Sequence, residues 1–322
     1  LSHKPYVTSI NSCYERFMKI AVLGAGAIGS LFGGLLSLNN DVTLIGRKEH
    51  VSEIMKNGLR IIGKTNLIVY PKAVYRIEDV NEQPDILIVT VKSYDTENAI
   101  REAVNIVGDK TIVLSLQNGI DNIPRITSYI EADKVLAGIT TEAVTFLRAG
   151  TIEHTGKGLT SIGEINGRIT SRLKKISEIF NSVGLTTKIT ENIWNEIWSK
   201  AIINSCINPI TAVFDIKNGE IIKHPILYSI AETICRESTK VAVARGMEIS
   251  EEDELKKLRQ VIENTSENYS SMVQSLRKRK PTEIDSINGI IVKEGKKKGI
   301  DTSINELFLK MVKIRETVEV KG

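Results

Sequence analysis

A lysine and two amides share a repeat of four in the stretch Trp198-Ser-Lys-Ala-Ile-Ile-Asn-Ser-Cys-Ile-Asn-Pro209. On a helix Lys200, Asn204 and Asn208 lie along one stripe that drifts by about 40° per step. Asparagine favours caps and turns over helix interiors, so two of them on one stripe suggest binding rather than propensity. An ammonium beside such amides can give a proton to an oxygen that they hold. Taken alone, the same lysine is also compatible with an ordinary solvated side chain.

A second pattern shows what that proton would complete. Gly24-Ala25-Gly26-Ala27-Ile28-Gly29 follows an apolar run and opens an apolar helix, the context that the G-x-G-x-x-G fingerprint requires. Gly24 allows the tight turn, Gly26 the approach of a pyrophosphate, and Gly29 the packing of helix on strand. Amides at the helix N-terminus then face an anion. The next strand ends Leu44-Ile45-Gly46-Arg47, without the acid that would bind a ribose 2′-hydroxyl; Asp41 stands at its other end. A guanidinium there suits a 2′-phosphate, so Arg47 points to NADP(H). Lys92 and Asn118 follow two further strands, at the carboxyl ends where ligands of parallel sheets bind. A surface lysine and an Asn-Gly turn are the plain alternatives.

The elements that must carry these residues alternate. Strands are expected at 19–23, 41–45, 85–91, 111–116 and 135–140, and helices at 28–38, 48–57, 96–107 and 169–183. Residues 59–62 and 67–70 read as a hairpin or extra strands, 145–164 as a β-meander, and 186–189 as a last strand. Near-continuous apolar strands alternating with helices imply an α/β fold with a buried, doubly wound parallel sheet. Beyond about Thr190 the pattern is helical, at 192–207, 219–245, 251–279 and 283–298. The expected domains are therefore 18–190, binding NADP in a Rossmann-like fold, and 191–322, helical. Residues 1–17 read as a tail outside the fold, without the apolar core of a secretory signal.

The 322 residues carry 43 basic and 39 acidic side chains, a net charge of +4, too balanced to favour nucleic acid as the main partner. The basic runs at 277–280 and 296–298 read as solvated helix faces. Three cysteines (Cys13, Cys206, Cys235) form no Cys-x-x-Cys pair, and the histidines lack metal-ligand spacing, so neither a disulfide framework nor a metal site is expected. A reducing cytoplasm fits that usage. No apolar run approaches the ~18 residues of a membrane helix.

From Met18 to about Lys313 the chain resembles the ketopantoate reductase (2-dehydropantoate 2-reductase) family. The resemblance rests on the strand and glycine turn at 19–29, Val91-Lys92, Gln117-Asn118-Gly119, the Trp198–Ala212 stretch, Asn218-Gly219, Ser270-Ser271-Met272 and Thr282-Glu283-Ile-Asp-Ser-Ile-Asn-Gly289. It implies reduction of the C2 ketone of ketopantoate by NADPH, giving (R)-pantoate for pantothenate and coenzyme A synthesis. It also implies a helical second domain similar to that of 6-phosphogluconate dehydrogenase. The family's catalytic lysine falls on Lys200. Its substrate-binding positions fall on Asn204, Asn208, Asn218, Ser271 and Glu283. Lys92, Asn118 and Glu283 fall where cofactor and substrate meet, and Arg47 at the 2′-phosphate. Glu283 would accept a hydrogen bond from the substrate's primary hydroxyl, and Ser271 and Asn118 would donate to its carboxylate. Where some members carry a glutamine after the strand-end lysine, this chain has Asp95.

Two other functions fit the same motifs: a reductase of another 2-keto acid or imine on the same scaffold, and an NADPH-binding sensor without turnover. A homodimer through the helical domain is compatible with the sequence.

Overall fold

The structure is a computed structural model that describes residues 17–318; the remainder of the expected tail, 1–16, and the last four residues lie outside it. The chain begins β1 (Lys19–Leu23), α1 (Ala27–Leu36), β2 (Asp41–Ile45), α2 (Lys48–Asn57), β3 (Leu59–Gly63), β4 (Leu67–Val69), β5 (Lys72–Val74), β6 (Ile86–Val89) and α3 (Thr96–Ala103). It continues through β7 (Ile112–Ser115), α4 (Asn122–Thr127), β8 (Val135–Thr140), β9 (Ala143–Arg148), β10 (Thr151–Gly156), β11 (Thr160–Glu164), α5 (Ser171–Ser182) and β12 (Thr187–Ile189).

Eight of these strands form one sheet in the order β12-β11-β8-β7-β6-β1-β2-β5. All pairs are parallel except β11 with β8. Chain order reverses between β1 and β6, which makes the carboxyl ends of those strands the switch point where such sheets bind ligands. The strands alternate their side chains between two apolar layers. Ile20 and Val22 join the layer with α1 and α5, whereas Ala21 and Leu23 join the layer with α3 and α4. This is the N-terminal Rossmann-like domain.

The expected meander is divided between two sheets. β9 and β10 pair antiparallel in a second sheet of order β4-β3-β10-β9, and β11 returns to the main sheet antiparallel to β8. Alternating side chains specify a strand but not its neighbour, which is a long-range choice. The β3–β4 pair is an antiparallel hairpin. Helix α1 lies between the two sheets, and close approach is what its glycines permit: a Cβ on Gly33 would stand 2.3 Å from Leu44 Cδ2.

The C-terminal domain is helical: α6 (Ile193–Phe214), α7 (Glu220–Lys223), α8 (Pro225–Ala244), α9 (Glu251–Asn264), α10 (Ser271–Arg277), α11 (Asn288–Lys298) and α12 (Ser303–Thr317). Several boundaries differ from those expected. The 219–245 segment breaks at Pro225, which begins α8 at the position where proline's missing N–H costs least. The 251–279 segment breaks because Ser270 caps a new helix, its hydroxyl accepting from Val273 N. Residues 284–286 form a 3₁₀ turn before α11, and α12 was not foreseen.

The largest departure is α6, which runs through Pro209 rather than ending at 207. Proline cannot donate to the carbonyl of Ser205, one turn back. Asn288 replaces that donor, its Nδ2 standing 3.2 Å from Ser205 O and 3.0 Å from Asn305 Oδ1. Asn305 in turn is held by Glu237, whose carboxylate accepts from Ile304 N, Asn305 N and Asn305 Nδ2 at 3.0, 3.0 and 2.8 Å and so caps α12. This buried polar set ties α6, α8, α11 and α12 together behind the Lys200 stripe. Among the described residues no helix is long and apolar enough to cross a membrane.

Replacing Asn288 by alanine removes both bonds and leaves a buried carbonyl unpaired, so the variant is expected to lose about 2–4 kcal/mol of unfolding free energy in urea titration. Pro209→Ala in that background restores a donor to Ser205 O and is expected to recover about 1 kcal/mol; no recovery would show that Asn288 does not act through that carbonyl.

Candidate active site

Helix α6 enters the interface apolar and leaves it polar. Ile193 and Ile197 pack into the sheet's own apolar layer, and Trp194 Nε1 donates to Ile165 O at 3.1 Å. One turn beyond Ile197, on the same face, comes Lys200. Its ammonium lies 2.8 Å from Asn118 Oδ1 and 2.8 Å from Thr140 O. These acceptors follow β7 and end β8, so the lysine is delivered by one domain to the carboxyl ends of the other's strands. An ammonium has three donors, and the third remains for a ligand. Burial is the main cause that brings the Lys200 pKa down to about 8; Glu283 opposes that fall and Lys92 adds to it.

Glu283 is buried at the start of the 3₁₀ turn, and both its oxygens face the first domain. Oε2 accepts from Lys92 Nζ at 2.8 Å and Oε1 from Ser93 N at 3.1 Å. For Lys92, burial works against the charge, but the charge and hydrogen bond of Glu283 outweigh it, and its pKa lies above the ordinary lysine value. Two cations and one anion leave the centre net positive, which favours a carboxylate ligand. The domains also meet where Ile120 N donates to Ser286 O at 3.0 Å. Gly119 permits that approach: its φ is +104° and a Cβ there would stand 2.8 Å from Ser286 Cβ.

The glycine turn fits a dinucleotide. Gly24, at φ +106°, and Ala25 donate their amides to Ile45 O at 3.0 and 2.9 Å, so they shape the turn rather than offer donors. A Cβ on Gly29 would lie 2.2 Å from Gly24 O, whereas one on Gly26 would meet only Gly24 O at 4.0 Å. Gly26 therefore faces open space beside the first-turn amides, including Ala27 and Ile28, which have no partner within the helix. At the end of β2, Arg47 is exposed and precedes α2. Asp41 is turned away at the other end of that strand, paired with Lys72 at 2.7 Å.

The other expected residues are placed less uniformly. Asn204 is half-buried and Asn208 buried, and neither side chain has a hydrogen-bond partner among the described residues. Asn218 is buried but donates to Thr265 Oγ1 at 2.9 Å, and its Oδ1 has no partner among the described residues. Ser271 is exposed at the first position of α10; the buried serine is Ser270, which accepts from Thr211 Oγ1 at 2.8 Å. No hydrogen bond joins Asn218 or Ser271 to Lys200. Asp95 is exposed, and partial desolvation raises its pKa against the opposing influence of Arg47. The basic run 277–280 is solvent-exposed, as expected, and it also makes contacts. Arg277 pairs with Asp215 at 2.8 Å and lies over Tyr269, and Lys278 donates across the domains to Phe146 O at 3.0 Å. Lys280 is exposed, and its pKa is lowered by desolvation and then by the charges of Arg47, Lys278 and Lys92. Two partners were missed from sequence, Thr140 O and Ser93 N. Both are backbone atoms, and only their place at or just after strand ends could have flagged them.

The comparisons with known proteins agree across the chain. The family model described as ketopantoate reductase PanE/ApbA matches residues 20–167, and its C-terminal counterpart matches 192–316. The 2-dehydropantoate 2-reductase of Pyrococcus horikoshii is 42% identical over 302 residues, covering 94% of this chain and 98% of the relative. That of Archaeoglobus fulgidus is 36% identical over 299 residues, covering 92% and 98%. Among solved structures, a PanE/ApbA family ketopantoate reductase from Ralstonia eutropha superposes with TM-score 0.87 at 29% identity, covering 93% of this chain and 99% of that one. D-mandelate dehydrogenase with NADH and anilino(oxo)acetate superposes with TM-score 0.89 at 28% identity, with the same coverage.

Glu283→Gln removes the charge that holds the Lys200 pKa up. The Lys200 ammonium is then expected to titrate below about 8, read by NMR of ¹³Cε-labelled lysine; an unmoved midpoint would mean that Glu283 does not govern this group.

Proposed function

The chain belongs to the ketopantoate reductase family, and from that premise we propose that it reduces the C2 ketone of 2-dehydropantoate to (R)-pantoate with NADPH, a step toward pantothenate and coenzyme A, with Lys200 as general acid. The observation that carries this reading is the half-buried Lys200 ammonium, held by Asn118 Oδ1 and Thr140 O at the carboxyl ends of β7 and β8 with one donor to spare. When bound, the nicotinamide supplies hydride to the ketone carbon. Lys200 hydrogen-bonds the ketone oxygen and gives it a proton as negative charge grows there. A pKa of about 8 leaves the amine protonated at neutral pH, yet a stronger acid than free lysine. Asn118, its Oδ1 engaged by Lys200, turns an amide N–H toward the ligand. Asn204 and Asn208, whose side chains have no hydrogen-bond partner among the described residues, orient the substrate. Lys92 offsets the substrate carboxylate, and Glu283 has lone pairs left to accept from the C4 hydroxyl. Closure of the domains on the bound ligands is expected to exclude water from the proton transfer.

Arg47 supports NADPH over NADH. It stands where an acid would otherwise bind the ribose, and Lys280 adds a second positive charge from the helical domain. The resemblance to D-mandelate dehydrogenase keeps a second keto acid in the comparison, and Glu283 favours the hydroxylated substrate.

With ketopantoate and NADPH, loss of absorbance at 340 nm is expected, and phenylglyoxylate, the ketone of mandelate, is expected to react more slowly. Lys200→Ala is expected to cut kcat by about 10² to 10⁴. In the parent enzyme kcat should fall as pH rises through about 8, because the protonated lysine is the active form. Undiminished turnover in the alanine variant would remove Lys200 from the role.

Arg47→Asp is expected to raise the KM for NADPH by about 10-fold or more while changing that for NADH by less than about 3-fold, consistent with loss of a charge-assisted phosphate contact. Equal changes for the two cofactors would refute the assignment.

A further inference from the structure

Two residues from the Lys200 acceptor the chain buries an acid that the reaction does not use. Glu142 occupies the linker between β8, which ends at Thr140 in the main sheet, and β9, which begins at Ala143 in the second. Its side chain is 2% exposed and has no lysine or arginine partner among the described residues; its Oε2 lies 2.7 Å from Nε2 of His154, itself 3% exposed. His154 sits on β10, and its Nδ1 is 2.9 Å from Thr65 Oγ1. A carboxyl group is not buried without a partner, so this pair fixes the linker against the second sheet.

The linker is held on every side. Glu142 N donates to Thr140 Oγ1 at 3.2 Å, and Thr160 Oγ1 donates to the same oxygen at 3.0 Å. Thr141 N donates to Leu159 O at 3.0 Å, and Leu159 N donates back to Thr141 Oγ1 at 2.8 Å. A Cβ on Gly158 would fall 2.3 Å from Thr141 C and 2.4 Å from Glu142 N, so backbone lies on backbone there. The direction of the Thr140 carbonyl follows from this corner, and that carbonyl is one of the two acceptors of Lys200. Neither Glu142 nor His154 hydrogen-bonds Lys200 itself.

We propose that Glu142 and His154 are positioning residues for the Lys200 ammonium, acting through the linker and the Thr140 carbonyl. The inference rests on Lys200 as the proton donor. Releasing the linker lets the carbonyl turn and the ammonium drift, and small displacements of a reacting group are costly. The charged groups that act on Lys200, Glu283 and Lys92, stay in place in such variants.

The experiment compares E142A, E142Q, H154A and K200A in the full chain, with NADPH and ketopantoate, across pH. E142A and H154A are expected to lower kcat by about 10- to 100-fold, with the KM for NADPH changed by less than about 2-fold. Their alkaline limb is expected to move upward from about 8 as the ammonium regains water. E142Q can still accept from Nε2 and is expected to recover most of the lost kcat. Should E142A not fold, E142L/H154F leaves neither a carboxylate nor an imidazole buried and unpaired, and carries the same test. Folded variants with parental kcat and an unmoved alkaline limb would overturn the positioning role. So would a loss of kcat that leaves the limb unmoved and that E142Q does not recover. A K200A enzyme that still turns over would overturn the reading beneath it, whereas an inactive K200A beside a parental E142A would overturn the positioning alone.

Discussion

One ammonium held across a domain junction sets the terms for the rest of the molecule. Lys200 leaves a helix of the C-terminal domain and finds both its protein acceptors, Asn118 Oδ1 and Thr140 O, on the other domain. A charge out of water needs such partners in good geometry, or it loses its proton. The arrangement therefore requires α6 to arrive at a fixed height and rotation. Ile193 and Ile197 supply that by entering the apolar layer of the sheet, so hydrophobic burial on one stretch of the stripe aims the polar chemistry on the next.

The same requirement explains the density of polar groups behind α6. A helix that carries two asparagines and a proline on or beside the Lys200 stripe is weak by propensity and lacks one internal hydrogen bond. Asn288 supplies the missing donor, and Asn305 and Glu237 fix Asn288 in turn. On the sheet side the Thr140 carbonyl is held by a linker whose neighbours are equally dense. The centre is thus framed by two buried polar networks, one in each domain.

What sequence could reveal divides along the range of the interaction. The glycine turn at 24–29 is legible because its cause is local: one turn, one close approach and one helix start. The spacing of Lys200, Asn204 and Asn208 is legible because a helix repeats every 3.6 residues. The partners of those residues are not. Thr140 contributes a carbonyl, which every residue has, and Glu142 and His154 meet only because a hairpin of the second sheet folds back. The helix ends failed for a related reason. Apolar periodicity runs through His224-Pro225 and through Thr265–Ser270, and the stops lie in proline and serine caps that periodicity does not register. At Pro209 the error runs the other way, since a stop that sequence suggests is cancelled by Asn288, 79 positions further along the chain.

The electrostatics of the centre shows why Glu283 faces the first domain with both oxygens. Burial alone lowers the Lys200 pKa, and an unpaired Lys92 nearby would lower it further. In the proposed reaction a lysine pushed much below neutrality would be empty of its proton when the ketone needs it. Glu283 counters on two fronts: it attracts the Lys200 proton directly, and it keeps Lys92 paired at 2.8 Å. Free lysine, near 10.4, would hold its proton too tightly to give it up readily. A value of about 8 lies between these failures, close to the pH at which a proton donor works best. Because Glu283 comes from the helical domain and Lys92 from the sheet, that balance exists only where the two domains meet.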